Sequence, residues 1–184
     1  MSGLPLAYPS EILRTERLRL RLVHAGDAAV YLDILNDPAF IEHIGDRGVR
    51  TLEAALKSIE DGPVSMQRTR GHSMYMVELL DSGAAVGLSG LIKRDGLDDV
   101  DIGYAFLPRY RGRGYAFEAA QAVVAHARAL GIPRLVAITT PGNAASIQLL
   151  LRLGMRFEGM RALVAGEPEL NLYGMNLRDL LDER

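Results

Sequence analysis

One run constrains this chain more than any other: Asp101 to Ala116, DIGYAFLPRYRGRGYA. Ile102 to Leu107 is apolar and reads as a strand. Pro108 ends it. The loop that follows carries Arg109, Arg111 and Arg113, with Gly112 and Gly114 between them. From Tyr115 the period becomes helical. Ala116, Ala120, Val123, Ala127 and Leu130 recur at the spacing of one helix face, and Gly131 stands where a C-terminal cap belongs.

Strand, glycine loop and helix are the parts of an anion site. The first N–H groups of a helix lack intrahelical partners, and the helix dipole puts partial positive charge there. Glycine lets the loop approach a ligand closely. Arginine adds charge in a planar fork suited to phosphate. The physical reading is a phosphate or pyrophosphate cradled by backbone amides. No Gly-Lys-Ser/Thr closes the loop, so it is not a P-loop. Its glycine spacing also differs from G-x-G-x-x-G, the dinucleotide fingerprint.

The 184 residues suffice for one domain with a real core, and the net charge of −2 leaves no footprint for non-specific nucleic-acid binding. Clustered arginines suit a small anion better than a polyanion. There are no cysteines, which removes disulfides, thiolate nucleophiles and cysteine-based metal sites. No secretory signal or membrane-length apolar run is visible, so no membrane partner is expected and a cytoplasmic location is the default.

Residues 1–11 read as a loose arm, and residues 12–184 as one domain. Arg17 to Leu22 alternates strictly, with Leu18, Leu20 and Leu22 inward and the arginines on a solvated face. Asp27 and Thr51 are N-caps for two helices, Asp61-Gly-Pro63 breaks the second, and the residues to Arg70 allow a short further helical stretch. Three antiparallel strands follow: Ser73–Leu80, Ala84–Lys93 and the strand ending at Leu107. After the long helix come a buried strand, Leu135–Thr139, and a helix opened by Pro141-Gly-Asn143 with the stripe Ile147, Leu150 and Leu151. A hairpin around Gly166-Glu-Pro168 ends the chain. The order β-α-α-β-β-β-α-β-α-β-β makes an α/β (α+β) single domain with a mixed, mostly antiparallel sheet flanked by helices.

Arg109-x-x-Gly112-x-Gly114 resembles the Q/R-x-x-G-x-G/A signature of the GNAT superfamily of N-acetyltransferases. Ile102-Gly-Tyr to Tyr115-Ala-Phe-Glu118-Ala is similar to the RimJ/RimL-type branch, which acetylates ribosomal-protein N-termini. Asn143-x-x-Ser146-x-x-Leu149 to Gly154-Met155 resembles the family's N-x-x-S-x-x-L…L-G-F segment, and the element order is also the family's. The likeness covers nearly the whole chain. It implies acetyl-CoA as co-substrate, no metal, and direct attack by an amine in a ternary complex. Backbone groups of Phe106 and Leu107 would pair with the pantetheine arm, and one of the two N–H groups would face the thioester oxygen. The loop from Arg109 through Arg111, Gly112, Arg113, Gly114, Tyr115 and Ala116 would hold pyrophosphate. Asn143 would bond the pantetheine, act as an N-cap, or do both.

Ser146 holds the motif position of a general acid; it reads equally as a helix-surface hydroxyl. Many relatives use a tyrosine four residues further on, where this chain has Leu150. Asp101 stands where relatives often carry a base, or is a solvated strand carboxylate. Glu78, His43 and His72 are weaker candidates, and Tyr104 reads as packing. Three functions follow: acetylation of a protein or peptide α-amine, acetylation of a small-molecule amine, or acyl-CoA binding without turnover. Both monomer and homodimer are open.

Overall fold

The computed structural model describes residues 10–178. Of the arm expected over residues 1–11, residues 1–9 lie outside the described residues, and Glu11 opens the first strand. The elements are β1 (Glu11–Arg14), β2 (Leu18–Leu22), α1 (Ala28–Leu35), α2 (Pro38–His43), α3 (Leu52–Ile59), α4 (Ser65–Arg70), β3 (Met74–Leu79), β4 (Ala85–Ile92), β5 (Val100–Phe106), α5 (Tyr115–Ala129), β6 (Arg134–Thr139), α6 (Ala144–Arg152), β7 (Arg156–Arg161) and β8 (Leu170–Asn176).

One sheet runs β1-β2-β3-β4-β5-β6-β8-β7. Every neighbouring pair is antiparallel except β5–β6. Alternation along the strands sorts two cores onto its faces. Leu18, Leu20, Tyr75 and Ile102 pack with Ala120, Val123 and Ala127 of α5. Met76 and Leu88 pack on the other face with Ile34, Phe40, Ala55 and Ile59 from α1, α2 and α3. The mostly antiparallel sheet and its flanking helices are those the pattern predicts, with an added first strand and four helices between β2 and β3.

Three local expectations need correction. Pro63 does not break the chain's helical course. Residues Glu60–Val64 widen into a π turn, and the Ser65 N–H donates to the Glu60 carbonyl, so the helix passes the missing proline donor and continues into α4. Arg21 does not lie on a solvated face. It is 6% exposed, and its guanidinium donates to Asp27 at 2.8 Å and to Glu78 at 2.6 Å. Leu151, placed inward on the α6 stripe, is 52% exposed, while Leu150 is fully buried.

Candidate active site

The site starts from a fault in the sheet. β5 and β6 are parallel, yet they pair only at Val100–Leu135 and Asp101–Val136. Beyond Asp101 the strands diverge, although β5 continues to Phe106 and β6 to Thr139. The opened edge of β5 has unpaired backbone groups, and the register identifies them. The Leu107 N–H donates to the Val86 carbonyl at 3.0 Å. Antiparallel ladders alternate, so the N–H groups of Tyr104 and Phe106 point to the other edge, toward β6. Phe106 and Tyr104 therefore offer donors in the gap. The expectation for Leu107 is corrected: its N–H is spent on β4.

The gap leads to the start of α5. Gly112 and Gly114 have φ of +73° and +82°, left-handed values that favour glycine. Gly114 is the N-cap and has no side chain to bond the first turn, and the first helical bond is from the Glu118 N–H to the Gly114 carbonyl. The N–H groups of Tyr115, Ala116 and Phe117 stay free of intrahelical partners. The loop is pinned from behind. Arg17 donates to the Arg113 carbonyl at 2.9 Å and to Glu118 at 2.7 Å, and the Glu118 carboxylate also accepts from Thr15 at 2.6 Å.

The three loop arginines are not equivalent. Arg111 is committed: Nε donates to the Phe106 carbonyl at 2.9 Å, and Nη2 pairs with Asp37. It ties the end of β5 to the N-cap of α2, because Asp37 also accepts from the Phe40 N–H. Arg109 lies 5.0 Å from the centre of the Tyr110 ring. Arg109 and Arg113 are exposed.

β5, β6, α5 and α6 line one side of a cleft of about 900 Å³, and α1, α2 and α4 line the other. Asn143 lies at its edge as the N-cap of α6, where Oδ1 accepts from the Ser146 N–H at 3.3 Å. Its NH₂ group still offers donors. Ser146 is in the cleft, and its Oγ is 2.6 Å from the Tyr104 hydroxyl. Sequence reading assigned Tyr104 to packing. The structure instead puts its hydroxyl against the candidate acid, since Tyr104 shares a strand face with Ile102 and so points toward α6. Burial pushes the Tyr104 hydroxyl up to about 12; the Ser146 hydrogen bond opposes this. No periodicity could join two residues on separate elements. Leu150, at the position of the relatives' tyrosine, is in the core.

Asp101 lines the same cleft at 1% exposure, paired with Arg94. It is not a solvated strand carboxylate. Burial raises its carboxyl to about 6, with the Arg94 charge and hydrogen bond pulling the other way. A carboxyl poised there can exchange protons near neutral pH. The weaker base candidates divide. Glu78 is locked between Arg19 and Arg21 and does not line the cleft. His72 is buried against the Leu91 carbonyl, also away from the cleft, and burial lowers its pKa. His43 does reach the cleft, with Nδ1 3.0 Å from the Thr140 Oγ1. Among the described residues no cluster of three or more His, Cys, Asp or Glu is placed to hold a metal ion.

The chain is 29% identical over 153 residues to the uncharacterized N-acetyltransferase YoaA of Bacillus subtilis (strain 168), covering 81% of this chain and 85% of that one. An acetyltransferase structure from Agrobacterium tumefaciens str. C58 superposes with a TM-score of 0.75 at 26% identity, over 95% of this chain and 98% of that one. RimL, a ribosomal alpha-N-protein acetyltransferase solved in complex with coenzyme A, shares the fold with a TM-score of 0.77 at 20% identity, over 91% of this chain and 98% of that one. Residues 17–156 match the acetyltransferase (GNAT) domain family, and the chain belongs to that family of acetyltransferases.

Proposed function

We propose that the protein transfers the acetyl group of acetyl-CoA to a primary amine by direct attack, and that the amine is the N-terminal α-amine of a protein or peptide. One observation carries the reading: a single cleft joins the open N-terminus of α5, the unpaired edge of β5 and the buried carboxyl of Asp101. The donor set fits acetyl-CoA. Free N–H groups of a helix start suit a pyrophosphate, with Arg109 and Arg113 adding charge at the surface. An unpaired strand edge suits an amide-bearing arm, with Phe106 and Asn143 as its further partners. The catalytic unit is a single domain.

The residues divide the chemistry as follows. Asp101, ionised above about pH 6, takes the proton that the attacking nitrogen must lose. The Phe106 N–H meets the oxygen that becomes anionic as the C–N bond forms. Ser146 stabilises the sulfur as the C–S bond breaks. The departing thiolate takes its proton from solvent, and Tyr104 does not itself supply it. A thiol ordinarily titrates at about 8.5 against about 12 for this tyrosine, so transfer runs uphill by about 5 kcal/mol. Either hydroxyl of the Tyr104–Ser146 pair can donate; with Tyr104 as the donor, the serine proton is left free to bond the sulfur. Similarity to RimL, an alpha-N-protein acetyltransferase, supports the choice of acceptor.

Release of free thiol from acetyl-CoA, followed with a thiol dye across peptides and small amines, tests this reading. The protein has no cysteine, so it adds no background. Release with a free-amine peptide and none with the blocked peptide is the expected result. Release with small amines alone would replace the acceptor. Silence, with acetyl-CoA still bound in calorimetry, would leave an acyl-CoA-binding module.

A further inference from the structure

The acceptor side of the cleft carries a positive charge that none of the described residues neutralises. Two carboxylates line the cleft, Asp37 and Asp101, and each is already paired, with Arg111 and Arg94. Arg47 lines the same cleft from the loop after α2. Among the described residues it has no ion pair and no hydrogen bond. Its surroundings oppose charge rather than balance it. The residue as a whole is exposed, yet burial of the guanidinium, followed by the charge of Arg94, lowers its pKa below the usual arginine range; only Tyr31 acts the other way. Two guanidinium groups thus face one cleft wall, and its one carboxylate, Asp101, is paired with Arg94 alone. When Asp101 takes a proton from the amine, even that counter-charge is lost.

A planar, unpaired guanidinium beside a second cation is a receptor for a carboxylate, which it can grip with two parallel hydrogen bonds. The same field repels a cationic acceptor segment. The acceptor's amine must lie at Asp101, and each extended residue spans about 3.5 Å. A carboxylate on the first or second side chain therefore falls within an arginine's reach of the amine. We infer that the acceptor is a peptide α-amine with an acidic side chain in its first two positions, and that Arg47 recognises that carboxylate. The inference deepens the acetyl-transfer reading and rests on it for the identity of the amine.

The test pairs two peptides that differ by one group, Ser-Asp-Ala-Ala and Ser-Asn-Ala-Ala. Their binding to the protein loaded with coenzyme A is measured by calorimetry, and their acetylation by thiol release. The aspartyl peptide is expected to bind at least about tenfold tighter, the factor of one charge-assisted contact. In Arg47→Gln the two peptides should bind alike. In Arg47→Glu a Ser-Lys-Ala-Ala peptide should overtake the aspartyl one. Equal affinity of the wild type for the first pair, or a preference that survives in Arg47→Gln, overturns the inference; so does failure of the aspartyl peptide to bind. A preference in binding without thiol release from any peptide upholds the carboxylate site and overturns acetyl transfer. Thiol release with both peptides at equal kcat/KM does the reverse. Arg47 is exposed and unpartnered, so neither substitution threatens the fold.

Discussion

The two sides of the cleft are made of different materials. The side formed by β5, α5 and the start of α6 presents backbone: the N–H groups of Tyr104 and Phe106, and three more at the first turn of α5. The side formed by α1, α2 and α4 presents side chains, among them Tyr31, Phe40, Arg47 and Met66. Backbone donors are set by register and helix geometry, so their positions survive most substitutions. Side-chain walls change with every substitution. A cleft built this way holds one constant ligand on its backbone side and lets the other partner vary. Arg111 joins the two sides, bonding the Phe106 carbonyl and Asp37.

The largest effect should come from breaking the backbone side alone. Gly112→Asp places a carboxylate beside the open helix start. An added Cβ there meets nothing within 4 Å, and aspartate tolerates a φ of +73° better than most residues. The charge, not the bulk, should do the damage. Affinity for acetyl-CoA is expected to fall at least about 100-fold in calorimetry, with the melting temperature shifted by only a few degrees. Unchanged affinity would move the phosphate site elsewhere.

Asp101 belongs to the chemistry between the two sides. Asp101→Asn should lower kcat about 100-fold and leave acetyl-CoA affinity intact. It should also remove the acid limb expected of the wild type if Asp101, titrating at about 6, is the base. Stability supplies an independent check. The folded carboxyl titrates at about 6 against an ordinary 3.8, so between these values the native state holds the extra proton. Stability then falls as pH rises through that window. Asparagine cannot ionise, and the variant should lose this slope in pH-dependent denaturation.

Smaller effects should separate Ser146 from Tyr104. Ser146→Ala is expected to lower kcat about tenfold with little change in the KM for acetyl-CoA. Tyr104→Phe removes only the bond that orients the serine, so its loss should be smaller, about threefold. If the tyrosine variant proved the more damaged, the roles of the two hydroxyls would be reversed.

The same contrast explains what could be read without coordinates. The backbone side announces itself locally. Pro108, Gly112, Gly114 and the change of period at Tyr115 all fall within one short run. Most of the element order was equally legible, because each strand and cap carries its own signal, but β1 and α2 were not foreseen. What the sequence could not show depends on register and on distant elements. Glu78 looked available until β2 and β3 paired it across from Arg19 and beside Arg21. Leu107 looked equivalent to Phe106 until the ladder fixed which N–H faced β4. Tyr104 and Ser146 stand on separate elements, and only the divergence of β5 from β6 brings their hydroxyls together. Arg47 lies in a loop with no periodicity, and its meaning comes from Arg94, far along the chain.

The smallest expected effect has the sharpest consequence for the base. His43 is also in the cleft, and histidine is a common general base. Its position argues for a tether. Nδ1 is 3.0 Å from the Thr140 Oγ1, so the ring links α2 to the end of β6 beside the N-cap Asn143. Glutamine can span a similar gap and keep the hydrogen bond while removing the basic ring nitrogen. His43→Gln should therefore hold kcat within about threefold of wild type and keep the acid limb in place. Loss of the limb in this variant, with its persistence in Asp101→Asn, would transfer the base role to the side-chain wall and leave Asp101 as the buried partner of Arg94.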